Sequence, residues 1–170
     1  MNEAVHPGGA PGGGSGGDNN LVVARYRSGQ VVKGHTRDFF PDRPVFHVLP
    51  KGAQTTVPVK TAELKGVFFV HDLLGNRLHN KGRRFPAVDQ GPQTGRRIAV
   101  LFEDGELLVG YAQIYGAEKP GFFLFPADSG SNNIRVYVLR AATRQVKLGP
   151  AADELARTAP PPRAKPRNAA

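Results

Sequence analysis

The sequence predicts an all-β protein of small-barrel or sandwich type, built twice in one chain, and three observations predict it. Apolar and polar residues alternate with a period of two in "LVVARY", "PVFHVLP", "TVPVK", "GVFFV", "RIAVLF", "GFFLFP" and "RVYVLR", the pattern of short strands with one buried face. Gly, Pro and Asn separate these runs at a spacing of about 8 to 12 residues, which suits successive antiparallel strands rather than βαβ units. The layout of "YRSGQVVKG" at residues 26–34 also returns in "FEDGELLVG" at residues 102–110.

That repeat holds without a gap at an offset of 76: Gly29 meets Gly105, Gly34 meets Gly110, Pro44 meets Pro120, Phe46 meets Phe122 and Pro50 meets Pro126. The identities fall on turn glycines, prolines and a core aromatic, where a duplicated fold keeps residues for backbone reasons. Farther on the loops differ in length, and "TVPVKTAELKGVFFV" corresponds to "IRVYVLRAATRQVKL" at an offset near 78.

In chain order, residues 1–20 are a Gly-rich arm with little side chain to bury, expected to stay flexible. Residues 21–74 form the first unit: strand, tight turn, strand, Pro-containing loop, strand, turn, strand, short turn, strand. Ser28-Gly29 marks its first hairpin and Asp104-Gly105 the same hairpin of the second unit at 97–149, a type I′ signal. Gly34 and Gly110, five residues after the turn glycines, suit the sharp bend at which a small barrel turns a corner. Residues 75–96 form a connector, and 150–170 a Pro-rich basic tail expected to be disordered, in which "PAADELAR" offers at most one helical turn.

With 39% apolar and 22% charged residues the chain has an ordinary globular balance. Cysteine is absent, so disulfides, thiolate metal sites and thiol nucleophiles are excluded. No apolar run approaches the roughly 18 to 20 residues of a membrane span, and a cytoplasmic protein without membrane contact is expected. The net charge of +9 is unevenly placed. Residues 21–74 hold eight basic and four acidic side chains and residues 75–97 six and one, whereas residues 98–149 hold five of each.

The apolar strand, turn glycine and second glycine five residues on, closing with "LKGVFFV", resemble the Sm-like branch of the SH3-like small barrels over residues 21–72 and 97–149. The strings "LKGVFFVHD" and "PGFFLFPADSGSNN" are also similar to an uncharacterised bacterial domain family. The Sm-like resemblance implies two tandem, strongly bent five-stranded barrels, edge strands that pair into rings, and RNA binding. The Asn with which Sm proteins contact RNA in the third-strand loop has no counterpart at Pro41 to Arg43 or at Ala117 to Lys119, and "RAATRQVKL" lacks the usual Gly of the closing motif.

The chemistry the residues offer is binding. Arg77, Lys81, Arg83, Arg84, Arg96 and Arg97 stand in and beside the connector against Asp89 alone. A flexible basic segment of this kind neutralises phosphates without reading bases, and Phe85 beside Arg83 and Arg84 would stack on an unpaired base. The same charges would equally suit a solvated linker. Arg140 and Arg144 form an "RxxxR", a possible anion site reminiscent of the PilZ domains that bind cyclic dinucleotides, but the Asp/Asn-Ser-Gly segment those domains need does not follow it. "ADSGSNN" reads as a hairpin loop, and Glu103, Asp104 and Glu106 as a solvated hairpin tip. His35, His47, His71 and His79 lack metal-ligand spacing. Of the phenylalanines at 68, 69, 122, 123 and 125, one face belongs to the core, and Phe69 and Phe123 are assigned to the other, where they would cover a partner.

The expectation is therefore a non-enzymatic module without catalytic residues, cofactor or metal, binding RNA or single-stranded DNA with little sequence selectivity through the connector and first unit. The alternative is a protein-interaction adaptor that uses edge strands and exposed aromatics for a partner or for self-association; cyclic-dinucleotide sensing is a remote third.

Overall fold

The computed structural model describes residues 20–76, 78–87 and 95–162. Ten strands run β1 Asn20–Tyr26, β2 Val31–Thr36, β3 Val45–Pro50, β4 Val57–Lys60, β5 Leu64–Val70, β6 Arg96–Phe102, β7 Leu107–Ala112, β8 Gly121–Pro126, β9 Asn133–Leu139 and β10 Thr143–Leu148, followed by one helix, α1 Pro150–Thr158. They form one antiparallel sheet in the order β10-β6-β7-β8-β9-β5-β1-β2-β3-β4. Each half has its fifth strand beside its first, and the fourth strand of the second half, β9, pairs with the fifth of the first, β5. The sheet is open, with β10 and the four-residue β4, which contains Pro58, at its ends.

The repeat is reproduced hydrogen bond by hydrogen bond. Tyr26 N donates to Gln30 O as Phe102 N does to Glu106 O, and Arg27 N to Glu63 O as Glu103 N does to Ala142 O. The offset is 76 through the first three strands, but Val45 faces Lys60 where Gly121 faces Leu139, so three residues enter before the paired part of β9 and the offset becomes 79 rather than 78. The hairpin turns also differ from the expected type. Among the described residues none but glycine takes positive φ; Gly29 stands at +94° and Gly105 at +89°. A type I′ turn would need positive φ at Ser28 and Asp104 as well. Each hairpin instead closes as a three-residue loop with one left-handed glycine.

The second glycines do what the bend requires. β2 meets β3 through only two residue pairs, Gly34 with Pro50 and His35 with Leu49, and β7 meets β8 through Gly110 with Pro126 and Tyr111 with Phe125. At both places the backbones approach so closely that an added Cβ would lie 2.1 Å from the carbonyl oxygen of Leu49 or Phe125.

The two halves share their core strands. On one face Val22, Val67, Phe69 and Tyr137 pack with Phe46 and Val48; on the other Val23, Phe68, Val136 and Leu124 pack with Ile98 and Val100. Every residue of β5 is buried, which is why "LKGVFFV" is apolar almost throughout instead of alternating. The assignment of Phe69 and Phe123 to a free outer face is corrected here. Phe69 is 3% exposed and Phe123 packs half-buried against the same cluster, because the outer face of the second half is the inner face of the first.

The C-terminal stretch also differs from expectation. Pro150 opens α1 after Gly149, and Ala152, Leu155 and Ala156 form a stripe with helical spacing. That stripe covers Ala99, Leu101, Leu107 and Val109 on the outer face of β6 and β7, a burial that overrides the weak local signal of so short a segment. Leu155→Ala should lower the stability of the full chain to urea by about 2 kcal/mol through the lost burial; an unchanged midpoint would show that α1 is not docked. Of the expected arm at 1–20, Asn20 already belongs to β1 and residues 1–19 lie outside the described residues, as do the last residues of the tail, 163–170.

Candidate functional site

The connector is held against the sheet where it is described. His79 Nε2 lies 2.6 Å from Asp128 Oδ2, Gly82 N donates to the same oxygen at 2.9 Å, and Lys81 Nζ donates to Glu106 Oε1 at 2.9 Å. Arg83 donates to Pro160 O at 2.6 Å. Arg97 pairs with Asp153 at 2.6 Å and lies over the ring of Phe85. Phe85 in turn packs edge-on to Tyr111 at the rim of the α1 cluster. Of the residues expected to face phosphate, Arg84 and Arg96 are exposed and have no partner among the described residues; Arg77 lies outside them.

Arg140 is likewise engaged. It donates to Tyr115 Oη at 2.7 Å, Gly116 O at 2.8 Å and Lys119 O at 3.0 Å, and its guanidinium stacks on Tyr115. It fastens the β7–β8 loop to the end of β9. Arg144 is exposed and reaches Glu103 O at 3.2 Å, so the two arginines of the "RxxxR" do separate jobs.

The hairpin tip read as solvated is instead an electrostatic joint between the halves. Lys65, 6% exposed on β5, donates to Asp104 at 2.6 Å and to Glu106, and its ammonium sits 4.4 Å from the Phe102 ring centroid. Arg25 and Lys81 also contact Glu106. Burial alone would raise the Glu106 pKa, but Lys81, Lys65 and Arg25 outweigh it and hold the carboxyl at about 2. A lysine inside the otherwise apolar "LKGVFFV" was the one sequence signal of this joint.

A cleft of about 420 Å³ opens between the β2–β3 loop of the first half, at Pro41 and Asp42, and the β7–β8 loop of the second, at Gln113, Ile114, Gly116 and Lys119. These loops correspond in the repeat, so the cleft is where the two copies of one loop face each other across β8. Phe122, Phe123, Phe125 and Tyr137 form its floor. Gly121 makes room for it: an added Cβ would stand 2.5 Å from Tyr137 Cζ. Phe39, from the β2–β3 loop, packs against Phe69, Phe123 and Tyr137 with ring centroids 5.4 to 6.5 Å apart.

The β2–β3 loop is pinned by Asp38, which accepts from Thr36 Oγ1 at 3.3 Å and His47 N at 2.8 Å and lies 2.7 Å from His47 Nδ1. Partial burial works against the Asp38 charge, yet these bonds hold its pKa below the ordinary value. Lys119 and Asp42 are the charged side chains of its walls; outside the lining, Arg43 lies over Phe40, and Arg135 lies over Phe69 and over Phe123 of the floor. An apolar aromatic floor with cations at the rim can hold a planar group by stacking and an attached anion by charge.

The chain belongs to a family of unknown function (DUF6982), which matches residues 18–149 and so takes in β1 to β10 but stops before α1. No curated protein and no solved structure matches the chain.

Proposed function

We propose that this member of the family is a non-enzymatic module that binds RNA or single-stranded DNA with little sequence selectivity, and that its contact surface is the cleft between the two halves rather than the connector. The aromatic floor beside Lys119, with Arg135 over the ring of Phe123, carries the reading. Stacking on aromatic side chains accepts any base, and rim cations neutralise the backbone. The excess of positive charge in the first half agrees with it. So does the Sm-like resemblance, which this reading extends to two bent five-stranded barrels sharing strands: each half has the order fifth-first-second-third-fourth, with glycine bends at Gly34 and Gly110. The loop in which Sm proteins place their RNA-contacting Asn supplies both walls of the cleft, although neither copy here carries that Asn.

The test is fluorescence anisotropy of labelled single-stranded RNA and DNA titrated with the full chain at two salt concentrations. Phe125→Ala combined with Lys119→Glu should weaken binding about tenfold or more, since one stacked base contributes roughly 1 to 3 kcal/mol. Arg84→Glu with Arg96→Glu should weaken it less. Absence of salt-sensitive binding at low salt would refute the proposal.

A protein partner is the second reading, favoured by Ile114, which is 76% exposed at the cleft wall beside Pro120; it predicts binding that is insensitive to Lys119→Glu and lost in Ile114→Asp. The cyclic-dinucleotide reading finds no support in Arg140, whose guanidinium is occupied by three protein acceptors.

A further inference from the structure

Among the described residues, four arginines that are half-buried lie over aromatic rings: Arg25, Arg97, Arg135 and Arg140. Three of them also have acceptors for their N–H groups. Arg25 has Glu106, Arg97 has Asp153, and Arg140 has Tyr115 and two carbonyls. The guanidinium of Arg135 has no hydrogen-bond or ion-pair partner among the described residues. Its guanidinium centre sits 4.4 Å from the Phe69 ring centroid and 4.9 Å from that of Phe123. Ring faces attract the cation but leave its donors unsatisfied. Burial disfavours the charge, lowering the arginine's pKa, and among the described residues no anion offsets that cost. A guanidinium lying over two rings, with its N–H groups unclaimed, can receive a two-oxygen acceptor.

Its neighbour decides which acceptor. Phe123 carries Arg135 and also lines the cleft. A planar apolar group in the cleft and an anion on Arg135 are therefore one phenyl ring apart. A nucleotide unit joins those two chemistries at short range, base to phosphate. We infer that Arg135 is the phosphate contact of the cleft, taking the phosphate of the nucleotide whose base stacks on the floor. This rests on the reading of the cleft as a nucleic-acid site.

The experiment follows the Nε–Hε signal of Arg135 by ¹H–¹⁵N NMR in the full chain, assigned by its loss in Arg135→Lys, during titration with inorganic phosphate and with hexauridylate. Oligonucleotide anisotropy is measured in parallel for the wild type, Arg135→Lys, Arg135→Gln and Phe125→Ala. The expected result is a shift of that signal with both probes and about tenfold weaker oligonucleotide binding in Arg135→Gln. Its log-affinity against log-salt slope should be shallower by about 0.7, one phosphate on a single strand. Arg135→Lys should keep the slope while losing affinity. An unmoved signal and unchanged affinity and slope, in a protein that still binds the oligonucleotide and is weakened by Phe125→Ala, would overturn the inference and leave the cleft reading standing. A shift with phosphate in a protein that binds no oligonucleotide would overturn the cleft reading and with it the assignment of Arg135 to a nucleotide phosphate. No response to either probe would overturn both.

Discussion

Gly34→Ala is expected to destabilise the protein by about 3 kcal/mol or more, and Gly110→Ala by a similar amount. The reason is backbone, not packing: the new methyl group would sit 2.1 Å from Leu49 O in the first half or Phe125 O in the second. A carbonyl in a paired strand has no rotamer by which to move aside, so the two strands must separate where they are joined by only two residue pairs. Gly29→Ala is the control. Its Cβ meets nothing within 4 Å, and its φ of +94° is the sole obstacle, so the cost should be about 1 kcal/mol. Urea midpoints of the three variants rank these costs directly. A Gly34→Ala protein within about 1 kcal/mol of the control would mean that the bend does not need the close approach.

Glu106→Gln should cost roughly 3 kcal/mol at neutral pH, and the cost should disappear in acid. The carboxylate, 19% exposed, receives Lys65, Lys81 and Arg25, and its removal leaves buried Lys65 with Asp104 alone, itself 56% exposed. Its pKa of about 2 lies below the ordinary 4.5. A depressed carboxyl stabilises the fold fully above its unfolded value, and that stability is lost as pH falls through the folded one. The difference in unfolding free energy between wild type and variant should therefore be constant above about pH 5, shrink between 4.5 and 2, and be nearly gone below 2. A gap that is independent of pH would show that Glu106 acts through shape and hydrogen bonding rather than charge.

Much of the architecture was legible because it is local or repeated. Period-two runs located the strands, and the 76-residue offset foretold equivalent hairpins, glycine bends and loop positions. What escaped were the consequences of pairing across long separations. Alternation shows that Phe68 and Phe69 face opposite ways, but not that a second half covers both; Phe69 therefore looked free. The β9–β5 junction has no local signature, and it joins the two five-stranded halves into one open sheet. α1 rests on a three-residue apolar stripe that matters only once β6 and β7 offer it a surface. The connector illustrates the same limit for the site. Its charge was plain in the sequence, but the acceptors that occupy Lys81, Arg83 and Arg97 come from residues 106, 160 and 153. The cleft exists only when two loops about 76 residues apart face each other.

The β9–β5 junction joins unlike edges, and such joints, unless they close, add subunits without end. Pro58 bears on that. Thr61 N bonds to Pro44 O across β3 and β4, and antiparallel alternation then turns the backbone nitrogen of residue 58 away from β3, toward the free edge. The corresponding residue of the second half is Tyr137, which faces Val67 across the junction. A strand joins the sheet where an N–H is present, and at the exposed end that N–H is missing. Pro58 thus withholds from an added strand the N–H it would need at that edge, and Pro58→Tyr is the substitution that would restore it.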